Sequence, residues 1–226
     1  MAEYCLEQLR GLSVALANNR VSPMNQGRAS RPILVIHCGS DKVNSIETVV
    51  LQCGFGLRIV RLDEVKEVSF ADYAGIIISG APVLLTQTNQ HAYVELFNFV
   101  SSVDCPVLGI CFGHQVIGLV YGANVFRGPE CRTHETIQVL QEDNLFHGLG
   151  TMVFVDEDHC EGVTLPDQFV LLARSGSYTV EAMKHREKDI YGVQFHPETL
   201  NEQGRKIVHN FLRLCNPATA REIPRF

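Results

Sequence analysis

Four short apolar runs in the first half of the chain constrain its fold more than any other feature. Ile33–His37 (ILVIH), Leu57–Val60 (LRIV), Gly75–Ser79 (GIIIS) and Val107–Ile110 (VLGI) are nearly continuous and rich in β-branched residues. A strand with one wet face alternates apolar and polar side chains. A strand that is apolar throughout is covered on both faces, as in a parallel sheet. Between the runs lie segments with helical spacing, Ser45–Cys53, His91–Val103 and His114–Tyr121. This alternation predicts an α/β fold whose central sheet is mostly parallel, with helices on both faces. The second half changes rhythm. Ile137–Leu140, Met152–Val155, Phe169–Ala173, Val180–Met183 and Ile190–Val193 read as strands with few helices between them, an antiparallel addition. Glu202–Leu214 reads as a last helix returning to the sheet.

The expected organisation is one domain over 32–215, preceded by a helix and linker over 1–31 and followed by a tail over 216–226. Cys5, Leu6, Leu9, Leu12 and Leu16 carry the helical spacing, and Asn18–Arg31 is polar with Pro23 and Gly27. With 46% apolar and 19% charged residues, the 226-residue chain can bury a sizeable core. A formal charge of −6 argues against nucleic acid as a partner. No run of 18 apolar residues exists to span a membrane, and the first residues lack a basic leader. Eight cysteines without a C-x-x-C pair fit a reduced, cytoplasmic protein rather than a disulfide framework or zinc site.

The sharpest local signal is Gly109-Ile110-Cys111-Phe112-Gly113, set between a strand and a helix. That is the context of a nucleophile elbow, where flanking glycines let the chain turn tightly under one displayed side chain. The start of the following helix aims N–H groups at the sulfur and favours negative charge there. A cysteine nucleophile needs a base or a neighbouring charge. His196, in Gly192-Val-Gln-Phe-His196-Pro197-Glu198, stands just past an apolar strand, and Glu198 is placed to orient its ring. No third ligand accompanies His196 and Glu198, so neither a metal nor another cofactor is expected.

G-I-C-F-G-H-Q at 109–115 together with G-V-Q-F-H-P-E at 192–198 resembles the class I, triad-type glutamine amidotransferases, and among them the glutaminase domains of GMP synthases. The resemblance runs from Pro32 to Cys215 and takes in Ile76–Pro82 (IIISGAP), Leu165-Pro166 followed by Phe169–Ala173, and the loop His159–Thr164. It implies a flavodoxin-like α/β fold and hydrolysis of the glutamine side-chain amide through a cysteinyl thioester. Cys111 would be the nucleophile, His196 the base and then the acid, and Glu198 its orienter. The backbone N–H groups of Ala81 and Phe112 would form the oxyanion hole. Gly80, Gln115, His159 and Glu161 would contact the substrate, L-glutamine or a γ-glutamyl compound. The implied ammonia acceptor is a synthetase on a separate polypeptide, since the resemblance ends eleven residues before the last residue.

Some positions depart from the family. Gly80-Ala81-Pro82 stands where Gly-Gly-Pro is usual, and a positive φ at Ala81 would cost about 1 kcal/mol or more. Phe112 replaces a common tyrosine, His37–Asp41 follows the pattern only in part, and Arg132–Thr136 departs from R-E-(aromatic)-G. These departures leave room for a stand-alone γ-glutamyl hydrolase or peptidase on the same scaffold. A non-catalytic regulatory protein is the remaining alternative. Cys38, Cys53, Cys105 and Cys215 read as core or near-core thiols, His37 as a satisfied polar residue and His114 as a packing one. Asp156-Glu157-Asp158 reads as a solvated turn.

Overall fold

The computed structural model describes residues 31–199 and 202–216. But for Arg31 and Asn216, the helix, linker and tail expected at the two ends lie outside the described residues. The strands are β1 (Ile33–His37), β2 (Leu57–Arg61), β3 (Gly75–Ile78), β4 (Val107–Ile110), β5 (Val125–Cys131), β6 (His134–Val139), β7 (Met152–Asp156), β8 (His159–Val163), β9 (Phe169–Arg174), β10 (Ala182–His185) and β11 (Ile190–Val193). The helices are α1 (Val43–Gln52), α2 (Gln90–Phe97), α3 (Phe112–Val120) and α4 (Glu202–Cys215).

Nine strands form one sheet in the order β2-β1-β3-β4-β11-β10-β9-β6-β7. The first five are parallel, and from β11 onward each pairing is antiparallel. The antiparallel addition therefore continues the parallel sheet rather than forming a layer of its own. A separate two-stranded ribbon pairs β5 with β8. The expected loop over His159–Thr164 is corrected here: its residues 159–163 form β8, held by pairing across to Val125–Cys131.

Alternate residues of each central strand feed two cores. Ile33, Val35, Ile77, Leu108 and Val193 pack with Ile46 and Val50 of α1 and Ile207 and Phe211 of α4. Leu34, Ile36, Ile76, Ile78 and Val107 pack on the other face with Tyr93 and Phe97 of α2 and Phe112 and Ile117 of α3. This two-sided burial is why β3 and β4 are apolar throughout. The expectation that Leu57–Val60 is buried on both faces is corrected, since β2 lies at the sheet edge with Arg58 and Ile59 exposed.

The seating of α3 depends on two missing side chains. A Cβ on Gly109 would lie 2.4 Å from the Gly113 carbonyl oxygen, and one on Gly113 would lie 2.3 Å from that of Ile78. Both obstacles are backbone, so neither can swing away. Gly113→Ala is expected to destabilise the fold by about 3 kcal/mol, lowering the thermal midpoint by several degrees. An unchanged melting curve would show that α3 can stand further from the sheet.

Candidate active site

Ligands of open α/β sheets bind beyond the carboxyl ends of the strands, where the connecting loops meet. Here β3, β4 and β11 are successive parallel neighbours, with Ile78 opposite Gly109 and Ile110 opposite Val193. The segments that follow them, 79–82, 111–113 and 194–198, therefore emerge side by side. Cys111 is held by its N–H to the Val193 carbonyl at 2.8 Å. It begins α3 with φ 52° and ψ −105°, alone among the described non-glycine residues in having a positive φ. Such a backbone costs about 1–3 kcal/mol and persists only when its surroundings enforce it. The expected strain at Ala81 is absent: its φ is negative, and the strain sits at the cysteine instead.

His196 Nδ1 lies 2.8 Å from Glu198 Oε1, and the imidazole interacts with the Cys111 sulfur. All three side chains are buried. Burial pulls His196 toward its neutral form. The interaction with Cys111 and the bond and charge of Glu198 outweigh it, and its pKa is raised to about 10. The His196 N–H is anchored on the Asp156 carbonyl at 2.8 Å, so β7 fixes the height of the ring. Gly80 lies against both groups. A Cβ there would be 3.1 Å from His196 Cε1 and 3.7 Å from Cys111 Cβ.

The dyad opens into a cavity of about 530 Å³ whose walls include Ala81, Phe112, Gln115, His159, Glu161 and His196. Gln115 donates to the Glu161 carbonyl at 3.1 Å and to Gln194 at 3.2 Å. The Glu161 carboxylate is engaged within the protein. It accepts from the N–H groups of Leu85 at 2.7 Å and Thr86 at 3.0 Å, and from the Thr86 hydroxyl. His159 meets the Glu161 carbonyl through Nδ1 at 3.0 Å and Glu157 through Nε2 at 2.8 Å. Gly80 and Glu198 support the dyad from behind rather than lining the cavity.

Sequence reasoning did not single out Lys42, Arg127 or Asp158 as cavity residues, although all three line it with Arg132. Lys42 Nζ lies 3.0 Å from Asp158 Oδ2, and Arg132 holds the other oxygen. Burial alone would raise the Asp158 pKa; the two cations hold it below the usual carboxylate range. The reading of Asp156-Glu157-Asp158 as a solvated turn is thus corrected. Asp158 bridges two cations, Glu157 is 4% exposed, and Asp156 anchors His196. No local signal marks this, because Lys42 lies 116 residues from its partner.

The other assignments fall out simply. His114 is buried beneath Gly192, its pKa lowered to about 3 by burial and then by the charge of His159. His37 accepts from the Gly39 N–H at 3.0 Å. Cys38 is buried and its thiol pushed up to about 12, chiefly by desolvation.

The family model Glutamine amidotransferase class-I matches residues 34–215. A curated relative from Pyrococcus furiosus, a glutamine-hydrolyzing GMP synthase subunit, is 38% identical over 190 residues, covering 81% of this chain and 98% of its own. The corresponding GMP synthase subunit of Methanosarcina barkeri is 39% identical over 187 residues, covering 81% and 96%. A solved structure of a putative GMP synthase subunit from Thermoplasma acidophilum superposes with a TM-score of 0.76 at 30% identity, over 87% of this chain and 98% of that one. A Thermotoga maritima glutamine amidotransferase superposes with a TM-score of 0.69 at 16% identity over 87% and 99%, a likeness of fold alone. With the elbow, the sheet order and the family match in agreement, the chain belongs to the class I glutamine amidotransferases.

Proposed function

We propose that this chain is the glutaminase subunit of a GMP synthase-like enzyme, passing ammonia to a synthetase on a separate polypeptide. The observation that carries this reading is the cluster of Cys111, His196 and Glu198 at the ends of adjacent strands, with His196 bonded to Glu198, opening into the cavity. The Cys111 sulfur, its proton carried by His196, attacks the glutamine side-chain carbonyl, forming a carbon–sulfur bond as the carbonyl π bond opens onto oxygen. The oxyanion that develops is met by the N–H groups of Phe112 and Ala81. His196 gives its proton to the nitrogen as the carbon–nitrogen bond breaks and ammonia departs. It then takes a proton from the water that cleaves the thioester to release glutamate. Glu198 orients the ring and offsets its charge.

Gly80 leaves room for the dyad, and Gln115 shapes the wall near the nucleophile. His159 and Glu161 build the side facing the amino-acid end of the substrate. Because the Glu161 carboxylate is already satisfied, its contribution is to hold that wall. Arg127, at the mouth of the cavity, suits the substrate's α-carboxylate. We place the protein in the cytoplasm, where the seven free cysteines among the described residues stay reduced.

The test is kinetic. Glutamate release is measured with the chain alone and with candidate synthetase partners, then repeated with γ-glutamyl dipeptides. A partner that completes the oxyanion hole is expected to raise glutaminase turnover by about 10²–10³-fold, the usual worth of one such donor. Fast partner-free cleavage of γ-glutamyl peptides, with glutamine a poor substrate, would assign the site to a hydrolase instead.

A further inference from the structure

A second group of ionisable side chains runs back from the cavity wall at His159, apart from the dyad. Glu157 comes from the turn between β7 and β8, His159 is the first residue of β8, and Glu181 precedes β10. Each offers a ligand atom within 4.8 Å of the others. Their exposures are 4%, 5% and 0%. Ser175 donates to Glu181 Oε1 at 2.7 Å, while Glu181 Oε2 and Glu157 Oε1 have no hydrogen-bond partner. Among the described residues, no lysine or arginine forms an ion pair with either carboxylate; Lys42 and Arg132 are taken up by Asp158. Two carboxyl groups withdrawn from water are costly in their charged form, so they either keep a proton or take positive charge between them, and His159 can supply at most one such charge.

We propose that Glu157, His159 and Glu181 form a binding site for one divalent transition cation. One imidazole nitrogen and two carboxylate oxygens make a donor set suited to manganese or zinc rather than to calcium, which takes six or more oxygens. Bonds of about 2.0–2.2 Å place ligand atoms roughly 3–4.4 Å apart, so small side-chain rotations close the site. His159 already has the arrangement typical of a metal-bound imidazole. Its Nδ1 is fixed on the Glu161 carbonyl, which leaves Nε2 facing the two carboxylates. The Tyr178 ring, 4.6 Å from the His159 ring centre to centre, covers it. The cation ties the β7–β8 turn to β10. Because the Glu161 carbonyl also receives Gln115, it sets the cavity wall without touching the substrate. This inference departs from the expectation of no metal and does not rest on the glutaminase reading.

The experiment uses the full chain without a histidine tag, stripped with chelator and titrated with Mn²⁺ alone, free ion being read by electron paramagnetic resonance. One equivalent is expected to leave the free-ion signal and to return when Zn²⁺ is added. Nuclear magnetic resonance line broadening should centre on Glu157, His159 and Glu181. Glu157→Gln and Glu181→Gln, which keep side-chain size, should each weaken binding by about tenfold or more. Cys111→Ser should bind as the wild type does, separating this site from the active-site thiol. An unchanged free-ion signal with the wild type overturns the proposal. So does broadening centred elsewhere, undiminished binding in both glutamine variants, or loss of binding in Cys111→Ser.

Discussion

Cys111→Ala is expected to lower glutamine hydrolysis by about 10⁴–10⁶-fold, because without the sulfur no thioester forms and only binding and oxyanion stabilisation remain. The fold should survive. Alanine keeps a Cβ in the same positive-φ elbow, so the backbone strain there is unchanged, and the residue is flanked by α3 and the Val193 carbonyl as before. A diazo-ketone analogue of glutamine should alkylate Cys111 in preference to the other seven cysteines. The reason is positional: Cys111 faces the cavity with a hydrogen-bonded imidazole beside it, whereas burial pushes the thiols of Cys38 and Cys53 up to about 12 and 11. Mass spectrometry of the labelled peptide, with initial rates of ammonia release, checks both halves. Label spread evenly over the cysteines, or an active alanine variant, would remove Cys111 from the role of nucleophile.

The legible parts of the fold were those where one local rule decides. β1, β4 and β11 match their expected bounds because, His37 at the end of β1 aside, their positions are buried on both faces. β10 is displaced, Ala182–His185 against an expected Val180–Met183, where an irregularity between Ala182 and Met183 shifts its register with β9. The ribbon of β5 and β8 escaped notice for a different reason. VFRGPEC and HCEGV contain glycine, proline and charge, and neither alternates. Gly128 and Gly162 make room for the Tyr178 side chain, whose hydroxyl and ring respectively would stand 2.6 Å from a Cβ there. Tertiary packing, invisible in a local window, selects extended backbone there. The same limit applied to the site. The elbow and the histidine segment were readable because each is a compact strand-to-turn motif. The mouth was not, since Lys42, Arg132 and Asp158 come from three distant parts of the chain and meet only after folding.

His196→Ala is expected to cost nearly as much as losing the nucleophile, and Glu198→Gln less, up to about 10⁴-fold. The two differ because, in the proposed mechanism, the histidine moves the proton, whereas the glutamate stabilises the group that holds it. An imidazole whose pKa is raised to about 10 meets the substrate as imidazolium throughout the neutral range. Its task in the first half-reaction is then to protonate departing ammonia. The expected profile of kcat/KM falls on the alkaline side as His196 loses its proton near pH 10. In Glu198→Gln, burial still pulls the pKa down and only the interaction and charge of Cys111 oppose it, so this limb moves to lower pH. The sign for stability is the same. A proton bound more tightly in the folded state contributes stability fully present below about pH 6.5, the ordinary histidine value, and lost as pH rises through about 10. The stability advantage of the wild type over His196→Gln should therefore shrink between those limits in denaturant titrations. An alkaline limb that stays in place in Glu198→Gln would mean that the carboxylate does not hold the charge on His196, and the pairing would lose its electrostatic role.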